Sequence, residues 1–370
     1  GAVVVSNVKT GEVLAMASYP EYDPNLFSTG ISQSDWESLQ VEEDSGPLVP
    51  RPMLNIATQT AVMPGSTFKL VTSLAALENG LDPQAVITDY GYVEVGDQTF
   101  NNLAWTEYGI TQGEENLYGA IRDSNNYYFY VLALGENPHD GKSIGTKLEL
   151  NDIRVAAEKL GLDQPTGIEV NIPKETTGNI PSIGKKVEIT KAMLQNYLED
   201  RLPVYLKDGV KKSKSEFEND VLEIVNMTSS PSKWTRSKII DFLDEKGYNA
   251  EQSLGEDRAG LADTIKFTYL NQAEWDITDM LNIVIGQGQN SYTPIQMNRA
   301  IAGLTNGGYL NKLTLVDKIT NHDSGDVLFN NVPQRTRIDL KDKKYLEDIK
   351  YGTLLVSQNN KILNQMPVDI

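Results

Sequence analysis

A serine and a lysine three residues apart open an apolar run that predicts a helix. The motif is Ser66-Thr67-Phe68-Lys69, and the run Leu-Val-Thr-Ser-Leu-Ala-Ala-Leu at 70–77 follows it directly. Leucines recur in this run at helical spacing, and a Pro-Gly pair before the serine ends the preceding extended segment. Residues i and i+3 share one face of a helix, so we expect the Lys69 amine to reach the Ser66 hydroxyl.

This pair can support nucleophilic chemistry. A serine alone is a weak nucleophile, and Lys69 would be the adjacent base that Ser66 needs. The helix N-terminus adds free N–H groups and a favourable field for a developing oxyanion, which suits acyl transfer through a serine ester. The alternative is that Ser66 only caps the helix and Lys69 is a solvated first-turn residue. The motif alone favours that alternative, because Ser-x-x-Lys is short enough to recur by chance.

A second polar element lies downstream. Ser124 and Asn126 flank a single residue, just before an aromatic stretch that predicts a helix. A hydroxyl can relay a proton, and a carboxamide can both donate to and accept from a substrate peptide bond. The alternative is a polar turn that caps a core helix. The upstream Ser-x-x-Lys element favours the functional interpretation.

Together the two elements resemble the Ser-x-x-Lys and Ser-x-Asn pair of the serine acyltransferases that bind penicillin. Further segments, in the order of the family, resemble class B penicillin-binding proteins of the elongation type, specifically their transpeptidase domain. These segments are the hairpin-like residues 1–18, Tyr-Asp-Pro-Asn-Leu-Phe at 22–27, Gly-Asn-Ile-Pro-Ser at 178–182, Ile-Gly-Gln-Gly at 285–288 and Tyr-Thr-Pro-Ile-Gln-Met at 292–297. The resemblance covers most of residues 1–182 and 275–312.

The resemblance implies an α/β (α+β) fold shared with serine β-lactamases. In that fold an antiparallel sheet is flanked by helices, and a helical lobe lies across the cleft. The implied activity is that of a peptidoglycan D,D-transpeptidase in cell wall synthesis. Ser66 would attack the carbonyl between two D-alanines of a stem peptide, Lys69 would accept the serine proton, and Ser124 would relay it to the departing D-alanine.

The resemblance also implies how the substrate is held. Asn126 would orient the donor peptide, Gly65 would contribute to substrate binding, and the Ser66 N–H would form half of the oxyanion hole. An amine of a neighbouring stem peptide would complete the cross-link, and a β-lactam antibiotic would acylate Ser66 and stay. No cofactor or metal is expected. A glycosyltransferase and other wall-synthesis proteins are the expected partners.

The third catalytic element of the family, Lys-Ser/Thr-Gly on a strand, is not found after the Gly-Gln-Gly segment. Lys9-Thr10-Gly11 precedes the serine, and we interpret it as a hairpin turn. Met-Pro-Val-Asp-Ile at 366–370 resembles the lead-in to the third element. We therefore expect that the chain is truncated just before that strand. A degenerate homologue is the alternative.

Composition and charge narrow the classes of partner and site. The chain has 33 Lys+Arg against 51 Asp+Glu, a net charge of −18, which argues against nucleic acid or an anionic membrane surface as main partner. It has no cysteine and hence no disulfide framework. His139 and His322 lie far apart in polar segments, which suits neither a zinc site nor a Ser-His triad.

The expected location depends on the start of the chain. No stretch approaches ~18 consecutive apolar residues, and no signal peptide is visible. The chain begins inside a predicted strand. We therefore expect an N-terminal anchor, absent from this chain, to hold the protein at the extracytoplasmic face of the bacterial cell membrane.

The organisation indicates one interrupted domain. Residues 1–182 would form the first part of the transpeptidase domain, 183–274 a helical insertion subdomain, and 275–370 the second part, with its last strands missing. The insertion is rich in charged residues and predicts several amphipathic helices. We interpret it as a decoration, and a docking surface for a wall-synthesis partner is the alternative.

Helical periodicity predicts further elements within these parts. Helices are expected at about 33–40, 66–78, 117–134, 151–160, 296–306 and 340–356, and a surface hairpin at 313–320 and 325–329.

Two other functions stay open. One is a β-lactamase or β-lactam sensor that uses the same serine and lysine. The size of the chain, the segment at 22–27 and the Gly-Gln-Gly segment argue against it. The other is a non-catalytic scaffold in the wall-synthesis complex, which the missing third element and the insertion keep plausible.

Overall fold

The computed structural model describes residues 1–41, 49–169, 174–253, 259–360 and 363–365. The segment at 366–370, which resembles the lead-in to a further strand, lies outside these residues. Chain contacts define two compact units, one formed by Gly1–Ile180 with Ile277–Ile370 and the other by Pro181–Asp276. The sequence predicts a division of the chain into three parts, and this division into domains stays a prediction.

Helices and antiparallel strands alternate irregularly along the chain, so the fold is mixed α/β as predicted. The α-helices are α1 Gln33–Leu39, α2 Ile56–Gln59, α3 Lys69–Glu78, α4 Leu103–Tyr108, α5 Leu117–Arg122, α6 Asn126–Leu134, α7 Leu150–Lys159, α8 Ile183–Arg201, α9 Lys214–Asn226, α10 Arg236–Glu245, α11 Leu261–Asp263, α12 Asn271–Ala273, α13 Ile277–Ile283, α14 Pro294–Thr305 and α15 Lys344–Asn359. Short 3₁₀ turns are Pro24–Phe27, Gly65–Phe68, Leu202–Tyr205, Met227–Ser229, Pro231–Lys233 and Leu363–Gln365, and Thr264–Leu270 is a π-helix.

The described strands pair as five separate two-stranded antiparallel ladders. They are β1 Ala2–Ser6 with β2 Val13–Ser18, β3 Ile87–Asp89 with β6 Gly113–Glu115, β4 Tyr92–Val95 with β5 Gln98–Asn101, β7 Tyr309–Asn311 with β10 Arg335–Arg337, and β8 Lys318–Thr320 with β9 Val327–Asn330. The β8–β9 pair is the predicted surface hairpin.

The first hairpin has one face in a small core and the other exposed. Val4, Val13 and Met16 pack against the buried side chains Ile168 and Ile295. The turn between β1 and β2 holds the Lys-Thr-Gly tripeptide at 9–11, which is therefore the hairpin turn that the sequence predicts.

Two helices form the buried centre of the first unit. All residues of α3 except the first turn's Leu70 and the terminal Glu78 are buried, and so are the seven residues of α6 from Tyr127 to Ala133. Both helices begin with a polar residue of the predicted site, Lys69 in α3 and Asn126 in α6.

The structure corrects two predicted helices. The expected helix at 66–78 begins as the 3₁₀ turn Gly65–Phe68 and becomes α-helical only at Lys69. The expected helix at 117–134 is broken into α5 and α6, because Ser124 has φ of 51° in the left-handed region. A right-handed helix cannot pass through that conformation.

The second unit has a core of its own. Apolar side chains from α8, α9, α10 and α11 make this core, including Leu198, Ile224, Leu243 and Leu261, all fully buried. The amphipathic helices predicted for this region are present, and their buried apolar side chains form this core.

Candidate active site

Ser66 lies in a tight turn whose entry is fixed by a backbone contact. Gly65 has φ of 57°, and its N–H donates to the carbonyl of Gly286 at 3.0 Å. Within the turn, the Lys69 N–H donates to the Ser66 carbonyl, as in a 3₁₀ helix. The Ser66 side chain is exposed, whereas Phe68 is fully buried. The turn therefore presents the serine outward while the phenylalanine anchors it.

The segment 284–292 packs against this turn and the residues on either side of it. The rings of Phe68 and Tyr292 stack with centroids 5.7 Å apart. Tyr292 also exchanges two backbone hydrogen bonds with Val62, at 3.0 and 2.9 Å. The Thr72 hydroxyl donates to the Val284 carbonyl at 2.8 Å. Contacts on both sides of the serine turn thus come from one segment.

Gly286 lies directly against the serine turn. It has φ of 76°, and a Cβ there would lie 2.1 Å from the Gly65 carbonyl oxygen and 2.6 Å from the Phe68 Cβ. Only glycine fits such a contact. Sequence reasoning used this glycine to recognise the family but gave it no role. The Gly-x-Gly spacing was the sequence signal that marked this position. The contact between Gly286 and the serine turn joins distant segments, so the local sequence does not show it.

Lys69 lies at the centre of the site and is 2% exposed. Its Nζ donates to the Ser124 carbonyl at 2.7 Å, to Ser124 Oγ at 3.1 Å and to Asn126 Oδ1 at 2.6 Å. Burial lowers the pKa of the Lys69 amine from its ordinary 10.5 to about 7. The structure thus brings three of the predicted site residues into direct contact.

The expectation that the Lys69 amine reaches the Ser66 hydroxyl stays a prediction. Among the hydrogen bonds of the described residues, none joins the Ser66 hydroxyl to Lys69 Nζ. The three N–H groups of the ammonium already have three acceptors at residues 124 and 126. Side chains at i and i+3 eclipse in a 3₁₀ turn, so Ser66 and Lys69 still share a face.

Ser124 has an unusual backbone. It is the only non-glycine residue with positive φ in the described part of the chain. This conformation costs about 1 kcal/mol for a residue with a Cβ. It turns the Ser124 carbonyl and hydroxyl toward the same lysine, which a helical Ser124 would not do. Local sequence carries no signal for this conformation beyond the polar run that interrupts the aromatic stretch.

Asn126 is half-buried and held on both sides. Its Oδ1 accepts from Lys69, and its backbone N–H donates to Asn102 Oδ1 at 3.0 Å. The preceding Asn125 is fully buried and caps α6 by accepting from the Tyr128 N–H at 3.0 Å. Sequence reasoning named Asn126 but missed Asn102 and Asn125, which lie in the interior and hold the loop.

A charged cluster adjoins Ser124. Arg122 donates to both carboxylate oxygens of Asp123, at 2.8 and 2.6 Å, and this contact lowers the Asp123 pKa. Glu115, 4% exposed, lies beside the pair, and its pKa rises to about 7, chiefly because it is buried and also because it hydrogen-bonds Asp123. Glu115 is therefore protonated more readily than an exposed glutamate.

Neither histidine belongs to this site. His139 Nε2 lies 2.9 Å from the Tyr92 carbonyl, and its ring stacks on Tyr90 with centroids 4.8 Å apart. In the part of the chain that the structure describes, no three His, Asp or Glu side chains converge as metal ligands. A membrane-crossing helix, long and apolar enough, is likewise not found among those residues.

The structure gathers groups of the kinds that serine acyl transfer uses. A hydroxyl is presented to solvent on a turn at the start of a helix, and a buried amine with a pKa near neutrality lies on the same face. A second hydroxyl and a carboxamide contact that amine. This is a set of groups that can generate a nucleophile and move its proton.

Comparison with known families gives a match over the first half of the chain. Residues 1–198 match the family described as the penicillin binding protein transpeptidase domain. This range includes every residue of the site described above except the supporting segment 284–292.

Curated relatives agree with that match. The chain is 31% identical over 193 residues to the peptidoglycan D,D-transpeptidase MrdA of Acinetobacter baumannii, covering 52% of this chain and 25% of that protein. It is 35% identical over 183 residues to MrdA of Haemophilus influenzae, covering 49% and 25%. It is 33% identical over 210 residues to the peptidoglycan D,D-transpeptidase PbpA of Mycolicibacterium smegmatis, covering 53% and 39%. The chain thus matches well under half of each relative's length.

Solved structures share the fold over nearly the whole chain. The penicillin-binding protein PBP2 of Helicobacter pylori superposes with a TM-score of 0.61 at 22% identity, covering 98% of this chain and 46% of that one. PBP2 of Pseudomonas aeruginosa, in complex with WCK 5153, gives a TM-score of 0.60 at 24% identity, covering 98% and 58%. These likenesses show the fold.

Proposed function

This chain belongs to the penicillin-binding protein transpeptidase family, and we propose that it cross-links peptidoglycan stem peptides through an acyl-enzyme on Ser66. The observation that supports this most strongly is the environment of Lys69. A buried amine with a pKa near 7 is poised to accept a proton at neutral pH. Its contacts with Ser124 and Asn126 join the base to the rest of the site.

A count of donors around Lys69 explains how it would change state. The charged ammonium has three N–H groups for the three acceptors present, whereas the neutral amine has two and a lone pair. The Ser124 carbonyl and Asn126 Oδ1 can only accept. The Ser124 hydroxyl can rotate from acceptor to donor, so it can contact Lys69 in both protonation states. This property suits Ser124 to relay a proton.

In the first half-reaction, the Ser66 hydroxyl attacks the carbonyl between the two terminal D-alanines. Its proton passes to the neutral amine of Lys69 as the new C–O bond forms. When the C–N bond breaks, Ser124 gives its hydroxyl proton to the nitrogen of the departing D-alanine and takes up the proton that Lys69 received, which leaves Lys69 neutral again. The products are a Ser66 ester and a free D-alanine, and no net proton is gained or lost.

Backbone and side-chain amides would hold the substrate in this step. The Ser66 N–H, in the first turn of its helix, would donate to the oxyanion. Asn126 would orient the donor peptide through its Nδ2, because its Oδ1 faces Lys69. Gly65 would line the binding site beside the nucleophile. No cofactor or metal takes part in this scheme.

In the second half-reaction, an amine of a neighbouring stem peptide attacks the ester. The new amide bond is the cross-link, and Ser66 regains its proton through the same relay. A β-lactam would acylate Ser66 by opening its ring. The part that would leave stays attached to the acyl group, so the adduct would persist.

The setting of this reaction would be the bacterial cell wall. One solved likeness is a complex of PBP2 with MreC from Helicobacter pylori, and another belongs to a peptidoglycan synthase complex that coordinates polymerization and crosslinking. By analogy, a glycosyltransferase and other wall-synthesis proteins would be partners of this chain. Its location would be the extracytoplasmic face of the cell membrane.

A coupled product assay tests the function. The chain would be incubated with a pentapeptide stem ending in D-Ala-D-Ala and with a D-amino acid as acceptor, and the products would be separated by mass. Transpeptidation gives one exchanged peptide for each D-alanine released. Rapid nitrocefin turnover without exchange would assign the site to a β-lactamase. If a folded chain catalyses neither reaction and also takes no β-lactam, the proposed function of this chain is contradicted.

A further inference from the structure

We propose that Asp89 is a positioning residue that sets the Ser124–Asn126 loop against Lys69. This inference rests on the proposed acyl-transfer function of the site. Asp89 ends strand β3, which lies between α3 and the loop in chain order, and no sequence motif marks it. It is 2% exposed. In the described part of the chain it has no ion-pair partner, so its charge is stabilised by neutral donors.

Four donors converge on the Asp89 carboxylate. Oδ1 accepts from the Gly91 N–H at 2.6 Å, and Oδ2 accepts from Asn102 Nδ2 at 2.8 Å, the Gln112 N–H at 3.1 Å and Asn125 Nδ2 at 3.2 Å. An ionised carboxylate can only accept hydrogen bonds, so it dictates which way each neighbouring amide must face. A buried carboxylate with every contact satisfied holds those neighbours firmly.

The first link runs through Asn102, which is 1% exposed. Because its NH₂ group must face Asp89, its Oδ1 faces the other way and accepts from the Asn126 N–H at 3.0 Å. The second hydrogen of that NH₂ group is donated to Gln112 Oε1 at 2.8 Å. The orientation of Asn102 therefore determines whether the Asn126 N–H has an acceptor.

The second and third links reach the residues on either side of Ser124. Asn125 donates its NH₂ to Asp89, which leaves its Oδ1 to cap α6. Gln112, fixed through its backbone, donates Nε2 to the Asp123 carbonyl at 3.2 Å. Residues 123, 125 and 126 are thus all tied to one carboxylate.

These links explain how Ser124 keeps its left-handed backbone. The flanking residues are held by Asp89 through Gln112, Asn125 and Asn102, and the strained residue between them has no freedom to relax. The Ser124 carbonyl, Ser124 Oγ and Asn126 Oδ1 consequently converge on Lys69 Nζ. Asp89 acts on the lysine through the loop.

The test uses Asp89→Asn, which keeps the shape but turns an acceptor into a donor. Its readout is the pH midpoint of Lys69 reactivity, measured by competitive labelling with acetic anhydride and peptide mass. In the parent chain we expect a midpoint near the Lys69 pKa of about 7. In Asp89→Asn the loop loosens and water reaches the amine, so the midpoint moves toward 10.5 by about one pH unit or more.

Glu175→Gln is the matched control. Glu175 is a buried carboxylate of the same unit that accepts from the Thr166 N–H at 3.0 Å, and it has no link to the loop. The Glu175→Gln variant should leave the pH midpoint of Lys69 labelling unchanged. If Asp89→Asn does not fold, Asn102→Ala removes the acceptor of the Asn126 N–H without changing the charge of Asp89. The Asn102→Ala variant should also move the Lys69 midpoint toward 10.5.

A second readout separates this inference from the proposed function. We expect the rate of Ser66 acylation by penicillin at neutral pH to fall about tenfold or more in Asp89→Asn. A parent chain that is not acylated would reject the function, while the labelling midpoint would still test Asp89. An unchanged Lys69 midpoint in a folded Asp89→Asn variant would overturn the inference. If Asp89→Asn does not fold, an unchanged midpoint in Asn102→Ala would overturn it.

Discussion

Lys69 Nζ lies 2.6 Å from Asn126 Oδ1, and this contact joins the first residues of α3 and α6. Both helices are buried in the centre of the first unit. Lys69 and Asn126 are therefore held at the ends of two packed helices. Site residues placed on packed helix ends are held more precisely than residues on free loops.

The pKa of Lys69 predicts a pH dependence for acylation. Burial lowers this pKa to about 7, so the neutral amine is lost as the pH falls below that value. The rate of labelling by a fluorescent penicillin should be level above neutrality and should decline roughly tenfold per pH unit below it. Rates measured between about pH 5 and 8.5 would show this.

Lys69→Arg is the companion variant. Arginine keeps its proton throughout this range, so the variant should lose about 100-fold or more of the rate at every pH. A parent profile that stays level down to about pH 5.5 would show that Lys69 is not the base.

Gly286→Ala should destabilise the chain strongly. The new methyl group would collide with the Gly65 carbonyl and Phe68, which we expect to cost about 3 kcal/mol. Gly288→Ala is the matched control, because Gly288 also has positive φ but its nearest neighbour, Asn282 Cβ, is 3.3 Å away. That change should cost about 1 kcal/mol. Urea unfolding measures the free energy of unfolding of both variants. Equal losses in the two variants would contradict this prediction.

Ser124 should separate stability from activity. Ser124→Gly removes both the hydroxyl and the strain of φ 51°, whereas Ser124→Ala removes only the hydroxyl. The glycine variant should therefore be about 1 kcal/mol more stable than the alanine variant. Both should acylate slowly, since neither can relay a proton. Thermal unfolding and penicillin labelling measure the two effects, and a glycine variant that labels at the parent rate would exclude the relay.

Glu115 should make stability depend on pH. Its pKa is raised to about 7 in the folded chain, so its contribution is fully present below its ordinary value of 4.5 and is lost as the pH rises through about 7. The loss should be on the order of 2 kcal/mol between about pH 5 and 8. Glutamine resembles the protonated acid, so the stability of Glu115→Gln should depend less on pH than that of the parent chain. Equal pH sensitivity of the two chains in urea unfolding would contradict this.

Part of this structure follows from local sequence. The Ser-x-x-Lys and Ser-x-Asn elements each lie within a few residues, and the helices that start beside them follow from apolar spacing. Ser66, Lys69, Ser124 and Asn126 are therefore recognisable as candidates from the sequence alone. The mixed α/β fold and the family follow from the order of several such segments.

The rest depends on contacts between distant segments. The helix break at Ser124 comes from tertiary ties that overrule a continuous helical pattern. The role of Asp89 depends on four donors spread from residue 91 to residue 125. The fit of Gly286 against Gly65 joins segments that are far apart in the chain. No local pattern carries these relationships.

The identity of the nucleophile is the central claim, and intact-protein mass after incubation with penicillin tests it most directly. We expect one penicilloyl adduct, in the peptide that contains Ser66, and none in Ser66→Ala. Thr67→Ala, which removes the neighbouring exposed hydroxyl, should still form the adduct. An adduct that persists in Ser66→Ala, or no adduct on a well-folded parent chain, would contradict the account.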